Sequence, residues 1–205
     1  MKRIVRGFFR IFWQLYPWWF SEKLDALLDL AYSERMRAVF GALGDNAIIM
    51  RSLKILNGQR IFIGDNFYCY WDVRIEAYSR HNNIDFDSRI VIGNNVSINP
   101  QCHIAAVDGV ELHDGVMLAS RVFITDHFHG DITSIDLELP PAERKLSSKG
   151  KVVIGKNVWL GEGVCVMPGV TIGENAIIGA NAVVTRDIPE NCIAAGCPAR
   201  IIKRL

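Results

Sequence analysis

A six-residue repeat of aliphatic side chains runs from residue 154 to residue 188 of the 205-residue chain. The first set occupies every sixth position: Ile154, Leu160, Val166, Ile172, Ile178 and Val184. The second set follows four residues behind: Val158, Val164, Val170, Ala176, Ala182 and Ile188. A strand alternates with a period of two and a helix with a period of about 3.6, so neither explains this pattern. The repeat predicts a coil of short strands and tight turns around a shared aliphatic interior.

Glycine and asparagine lie where such a coil has to turn. Gly155, Gly161, Gly173 and Gly179 directly follow inward residues, and Asn157, Asn175 and Asn181 lie two positions further on. Both residue types tolerate the backbone conformations of tight corners. We therefore predict an all-β solenoid, a parallel β-helix, that is well defined from about residue 60 onward.

The same period is present earlier in the chain, but with breaks. It includes Ile63, Cys69, Ile75, Ile92, Ile98, Ile104, Leu112, Leu118 and Ile124. It is lost over residues 79–87, slips by two residues before Leu112, and stops after Ile124. The last break predicts an excursion loop at about residues 129–150. Because insertions in a solenoid fall on one face, we expect this loop to cover a site.

The first 45 residues predict an N-terminal helical and aromatic extension to a solenoid domain at 46–205. In residues 1–20, Arg3, Arg6 and Arg10 share one helical face and aromatic and aliphatic residues crowd the rest. This segment is too short and too charged to span a bilayer. It suits a peripheral helix on the inner membrane surface, and equally a helix packed on the solenoid or on a neighbouring subunit.

A second helix is expected after the first, with Ser21 as its N-cap. Gly41 and Gly44 are expected to end it near residue 43.

Charge and cysteine content narrow the class of protein. The formal net charge is +1, which gives no general attraction to nucleic acid. The five cysteines are an odd number without metal-site spacing, which favours a reducing cytoplasm. No secretory signal is expected, because Arg6 and Arg10 interrupt the apolar start.

Two histidines, His127 and His129, occupy the last coil before the predicted excursion. A sheltered imidazole at a solenoid corner suits a general base, because it exchanges protons near neutral pH. Two other interpretations remain: exposed turn residues, or part of a metal site. The chain has no Gly-x-Ser-x-Gly elbow and no Walker loop, so neither a serine nucleophile nor a P-loop is indicated.

The repeat units Ile-Gly-Lys-Asn-Val-Trp, Leu-Gly-Glu-Gly-Val-Cys, Ile-Gly-Glu-Asn-Ala-Ile and Ile-Gly-Ala-Asn-Ala-Val resemble the hexapeptide-repeat acyltransferases. So does the end of the chain, Val183-Val184-Thr185-Arg186-Asp187-Ile188-Pro189 followed by Ala195-Gly196-Cys197-Pro198-Ala199-Arg200. Within that family the chain looks closest to sugar and polysaccharide O-acetyltransferases. The resemblance implies a left-handed parallel β-helix, a homotrimer with active sites between neighbouring subunits, and acetyl-CoA as co-substrate.

The resemblance also implies residue roles. His127 matches the catalytic base, Asn99 matches a substrate-binding asparagine, and His129 is a second substrate contact. Asp126 is expected to contact substrate or to orient one of the imidazoles. The predicted acetyl-CoA residues are Gly161, Glu162, Ala180, Thr185, Arg186, Arg200 and Lys203.

The predicted activity is acetyl transfer to a saccharide hydroxyl of a surface-polysaccharide or glycolipid precursor. N-acetylation of an amino sugar is an alternative, because the same base and cofactor would serve. A metal-dependent hydratase of the γ-carbonic-anhydrase type is another, and would need His103, His127 and His129 around zinc across a subunit boundary. A catalytically silent scaffold that works through its N-terminus is the third.

Overall fold

The computed structural model describes residues 2–16, 18–131 and 138–205. Two helices open the chain, α1 (Lys2–Leu15) and α2 (Trp18–Met36). The strands that follow are short, and most of them are grouped in three sheets whose strands run parallel, apart from the last strand of the chain.

The chain visits the three sheets in the same order on each coil. The first sheet contains β1 (Ala42–Leu43), β4 (Ile61–Ile63), β9 (Arg89–Ile92), β12 (Gly109–Leu112), β17 (Val152–Ile154) and β20 (Thr171–Ile172). The second contains β2 (Ile48–Ile49), β5 (Tyr68–Cys69), β10 (Ser97–Ile98), β13 (Met117–Leu118), β18 (Trp159–Leu160), β21 (Ile177–Ile178) and β23 (Cys192–Ala195), with β24 (Arg200–Arg204) antiparallel at its end. The third contains β3 (Lys54–Leu56), β6 (Arg74–Ala77), β11 (His103–Ala106), β14 (Phe123–Thr125), β19 (Cys165–Val166) and β22 (Val183–Val184).

The aliphatic residues of the repeat fill the interior, as the sequence predicts. Both six-residue sets between Ile154 and Ile188 are buried, and so are the earlier repeat residues from Ile63 to Ile124. In-register pairs such as Leu112 with Ile154 stack these side chains from coil to coil. Because burying one aliphatic side chain contributes about 1.5–3 kcal/mol, this stack is the main source of stability.

The corners use asparagine and glycine in different ways. Asn157, Asn175 and Asn181 have left-handed backbone conformations, with φ of 56°, 58° and 58°. The glycines that follow the inward residues do not have positive φ, contrary to the expectation that they form the corners. Gly161 instead lies against the next coil, where a Cβ would be 2.7 Å from the backbone N of Ala180. Glycine is therefore required there for close stacking.

Two antiparallel hairpins leave the coils where the repeat breaks. The first is β7 (Arg80–His81) with β8 (Ile84–Asp85), and the second is β15 (His127–His129) with β16 (Leu146–Ser148). A short 3₁₀ turn at Pro141–Glu143 lies between β15 and β16. The predicted excursion at 129–150 includes residues 132–137, which lie outside the described residues. The two hairpins meet, because Nδ2 of Asn82 donates to the carbonyl of Ala142 at 3.0 Å.

The N-terminal helices differ from the prediction in their limits. α2 begins before Ser21, whose hydroxyl donates to the carbonyl of Trp18 instead of capping the helix. It ends at Met36, and β1 begins at Ala42, ahead of the predicted domain boundary. The C-terminal half of α2 packs on the first coil, where the buried Ser33 hydroxyl accepts the Ile49 N–H at 2.7 Å. Among the described helices, none has both the length and the apolar character needed to cross a membrane.

Candidate active site

Asp126 lies at the corner where the chain leaves the third sheet, and it is fully buried. Its carboxylate accepts hydrogen bonds from the backbone N–H groups of Val107, Asp108 and Gly109 at 2.9, 2.7 and 2.7 Å. These residues form the turn between β11 and β12, which contains the two-residue slip of the repeat. Because a buried carboxylate without such donors would be costly, the slip builds the cradle that makes this charge tolerable.

His127 follows directly, and its side chain is only 9% exposed. Its Nδ1 lies 2.9 Å from Oδ1 of Asp126 and 3.2 Å from Oγ1 of Thr125. A carboxylate at Nδ1 favours the tautomer with the proton on Nδ1 and the lone pair on Nε2. It also stabilises the imidazolium that forms when Nε2 accepts a proton. This arrangement suits a general base.

Burial limits what Asp126 can contact. With no exposed surface and both carboxylate oxygens already bonded, it lies behind His127 rather than beside a ligand. Of the two roles considered from sequence, orientation of an imidazole is the one that this geometry fits.

A polar network next to His127 was missed by the sequence analysis. The Tyr78 ring packs edge-on against His127 with 5.7 Å between centroids, and its hydroxyl donates to Glu76 at 3.2 Å. Glu76 also accepts a bond from Arg74 at 2.8 Å and lies 2.9 Å from Nε2 of His103. These residues are brought together by the pairing of β6 with β11, which places Arg74 opposite His103. Only a correct prediction of that strand register could have revealed the network.

Two opposing effects set the charge of this network. Burial alone would raise the pKa of Glu76, but hydrogen bonds from Arg74 and His103 and their positive charges outweigh it, so this pKa is lowered. Burial raises the pKa of Tyr78, and the neighbouring Glu76 charge raises it further. His127 therefore contacts a neutral phenol that is backed by an ionised carboxylate.

His129 lies further out on the same hairpin. Its Nδ1 is 3.2 Å from the carbonyl of Pro141, and its ring lies 6.5 Å from that of His127 and 5.8 Å from that of His81. The side chain is exposed and close to the base, so it remains a candidate substrate contact. His81, on the first hairpin, was not singled out from sequence.

Four predicted site residues follow strands of the second sheet, at the corner that leads to the third: Asn99, Gly161, Glu162 and Ala180. Nδ2 of Asn99 donates to the carbonyl of Leu118 at 2.8 Å. Glu162 forms an ion pair with Arg121 of the preceding coil.

The remaining predicted cofactor residues lie elsewhere. Thr185 and Arg186 follow β22, at the same kind of corner as His127 but two coils later. Arg200 and Lys203 lie on β24, beyond the last coil. Within one chain the structure thus brings Asp126 and His127 together, whereas the third sheet separates them from the corner of Asn99 and Gly161.

A three-histidine metal site is not formed among the residues that the structure describes in one chain. Among the described residues, no three His, Cys, Asp or Glu side chains are grouped so as to hold a metal ion. His103, which the hydratase alternative requires, is engaged with Glu76 on the outer face of the third sheet.

Comparison with known proteins identifies the family of this chain. The family model "Bacterial transferase hexapeptide (six repeats)" matches residues 151–186. A protein of Escherichia coli (strain K12), named "Putative lipopolysaccharide biosynthesis O-acetyl transferase WbbJ", is 42% identical over 154 residues, which are 73% of this chain and 74% of that protein. The chain belongs to the hexapeptide-repeat transferase family.

Two solved acyltransferase structures are similar to this chain in fold. A maltose O-acetyltransferase from Clostridium difficile 630 is 31% identical, with a TM-score of 0.56 over 84% of this chain and 73% of that one. AntD, an N-acyltransferase from Bacillus cereus solved with dTDP and 3-hydroxybutyryl-CoA, has a TM-score of 0.70 at 23% identity, over 84% of this chain and 87% of that one. At that identity AntD shows the fold alone.

Family membership confirms the predicted resemblance and makes the protein an acyltransferase. It implies the left-handed form of the β-helix, with which the three parallel sheets agree. Acetyl-CoA as co-substrate fits the acetyltransferases among these relatives.

Proposed function

We propose that this enzyme transfers the acetyl group of acetyl-CoA to a hydroxyl of a saccharide, a precursor of surface polysaccharide or glycolipid. The observation that carries the proposal is the buried Asp126 carboxylate against Nδ1 of the nearly buried His127. The similarity to WbbJ and to a maltose O-acetyltransferase supports a saccharide acceptor and transfer to oxygen.

His127 acts twice in the proposed reaction. Nε2 accepts the proton of the acceptor hydroxyl as that oxygen attacks the thioester carbonyl, and the imidazolium returns the proton to the departing thiolate. Asp126 holds the imidazole in the required tautomer and stabilises its charged form. General bases of this kind contribute about 10²–10⁴-fold to the rate.

The residues proposed to hold acetyl-CoA fit its chemistry. The corner of Gly161 and Ala180 is proposed to line the extended pantetheine arm, beside the ion pair that Glu162 forms with Arg121. The cations Arg200 and Lys203 suit the adenosine phosphates, to which they can form charge-assisted hydrogen bonds. Thr185 and Arg186 are proposed for the nucleotide end. Acetyl-CoA itself supplies the activated acetyl thioester.

The separation of base and cofactor corner supports the proposed homotrimer, since a second copy can bring its Gly161 corner to His127. Two variants that we expect to be inactive alone, His127→Ala and Ala180→Trp, test this arrangement. If sites form between copies, equal mixing of the two restores about one site in four. No restored activity in mixed trimers would place base and cofactor in one chain.

Transfer to nitrogen of an amino sugar is the alternative, and one experiment separates it from transfer to oxygen. A panel of saccharides and amino sugars is incubated with acetyl-CoA while thiol release is followed, and each product is then treated with hydroxylamine. Hydroxylamine cleaves acetyl esters and leaves acetamides intact. We expect hydroxylamine-sensitive product; stable product formed only from amino sugars would support the alternative.

We propose that the reaction takes place in the cytoplasm, since five cysteines, an odd number without metal-site spacing, suit a reducing compartment. A peripheral contact of residues 1–20 with the inner membrane surface is a separate proposal.

A further inference from the structure

The helix α1 exposes two chemically distinct faces. The apolar side chains of one face remain largely uncovered, with Ile4 78%, Phe8 63% and Phe12 42% exposed, and Phe12 stacks on Phe8. A monomeric soluble protein seldom leaves so many large apolar side chains together at its surface. This apolar face of α1 is therefore expected to contact a partner.

The opposite face of α1 is basic and carries no acid. Lys2, Arg3, Arg6 and Arg10 recur at helical spacing, and the described residues of the helix include no Asp or Glu. Aromatic residues on one face and arginines on the other are typical of helices that lie in the plane of a bilayer interface. At 14 residues the helix is too short to span a membrane.

Charge decides between a bilayer and a second copy of the chain as the partner. Packing the α1 helices of several copies together would gather their arginines without any acid from α1 to neutralise them. An anionic bilayer surface instead neutralises these charges and buries the aromatic face in one step. Such partitioning is stronger when both signals, apolar and basic, act together.

We propose that α1 docks the enzyme on a bilayer that carries anionic headgroups, with its aromatic face buried among the acyl chains and its arginines at the headgroups. Exposed aromatic side chains are also present at the start of α2, where Trp18 and Trp19 are 77% and 56% exposed. This proposal does not depend on the acetyl-transfer chemistry.

Co-sedimentation of the full chain with vesicles, without substrates, tests it. Phosphatidylcholine vesicles are compared with vesicles of phosphatidylcholine and phosphatidylglycerol in equal parts. Wild type should bind the anionic vesicles strongly and the neutral ones weakly. The triple variant Arg3→Gln/Arg6→Gln/Arg10→Gln should lose roughly a hundredfold in partitioning to anionic vesicles, since each basic residue near the surface is worth about fivefold.

The double variant Phe8→Ser/Phe12→Ser should lose at least tenfold on both kinds of vesicle, because it removes buried aromatic area. A charge-matched control, Arg35→Gln/Lys54→Gln/Lys156→Gln, should bind as wild type. Absence of wild-type binding to anionic vesicles, or an equal loss in the control, would overturn the proposal. So would a change in oligomeric state of the Phe8→Ser/Phe12→Ser variant in lipid-free sedimentation, because α1 would then pack between copies.

Discussion

The Asp126→Asn substitution tests how the protein prepares its base. Asp126 accepts three backbone N–H bonds and contacts Nδ1 of His127, all within 2.7–2.9 Å. An asparagine can keep its carbonyl oxygen towards the N–H groups of Asp108 and Gly109. Its NH₂ group then faces Nδ1, which must accept a hydrogen bond. The imidazole is forced into the tautomer with the proton on Nε2, and that nitrogen can no longer take a proton from the acceptor.

The expected magnitudes follow from this geometry. A hydrogen bond to a charged acceptor contributes about 1.5–3 kcal/mol and one to a neutral acceptor about 1 kcal/mol. Replacing the Asp126 carboxylate by a neutral amide should therefore lower the free energy of unfolding by about 3 kcal/mol. The rate should fall more steeply. In Ser–His–Asp triads the equivalent change lowers kcat by about 10⁴ through the wrong tautomer, and we expect a loss of at least about 10² here.

Denaturant unfolding and kcat/KM of the folded variant are the two measurements. Asp108→Asn is the matched control, because its exposed carboxylate lies in the same turn and its backbone N–H is unchanged. This control should be close to wild type in both measurements. Wild-type kcat/KM in folded Asp126→Asn would refute the positioning role of the buried carboxylate.

Three further predictions concern the scaffold. Gly161→Ala should lower the free energy of unfolding by denaturant by about 1–3 kcal/mol, because its Cβ would lie 2.7 Å from the backbone of the next coil. Gly7→Ala is the control and should not destabilise the protein, because its Cβ would have nothing within 4 Å. Equal effects of the two substitutions would contradict the stacking argument. The lowered pKa of Glu76 means that its stabilising contribution is complete above the pKa of an unfolded glutamate and is lost as pH falls through the folded value. Glu76→Gln should therefore flatten the acid limb of a plot of stability against pH, and an unchanged limb would count against the network. Burial raises the pKa of the Cys102 thiol to about 11, whereas Cys197 is exposed. Iodoacetamide at neutral pH should therefore label Cys197 first and Cys102 only on unfolding, as followed by peptide mass spectrometry. Labelling of both cysteines at similar rates in the folded protein would disprove this.

The sequence predicted the repeating part of the fold well because every coil imposes the same environment on the same position. The side chain of Leu160, for example, is fully buried in the interior of the solenoid, between those of the coils before and after it. That environment is apolar, so the residue has to be aliphatic. The same logic located the breaks in the repeat, and thereby the hairpins and His127.

What the interruptions of the repeat do could not be predicted from the sequence in the same way. The slip before Leu112 was visible, but its N–H groups meet Asp126 only through contact between successive coils. Tyr78 and Glu76 lie about fifty residues before His127 and approach it through strand register alone. Local signals also misled at Ser21, where α2 extends back to Trp18 and leaves no cap to fill.

The most direct test of the central claim is transfer by a His127→Ala enzyme, followed as thiol release from acetyl-CoA with an accepted saccharide. His113→Ala, which changes a histidine at another corner, serves as the control. The account predicts that kcat/KM of His127→Ala falls by about 10²–10⁴ while calorimetry gives an unchanged Kd for acetyl-CoA. Full transfer by folded His127→Ala that binds acetyl-CoA normally would contradict it.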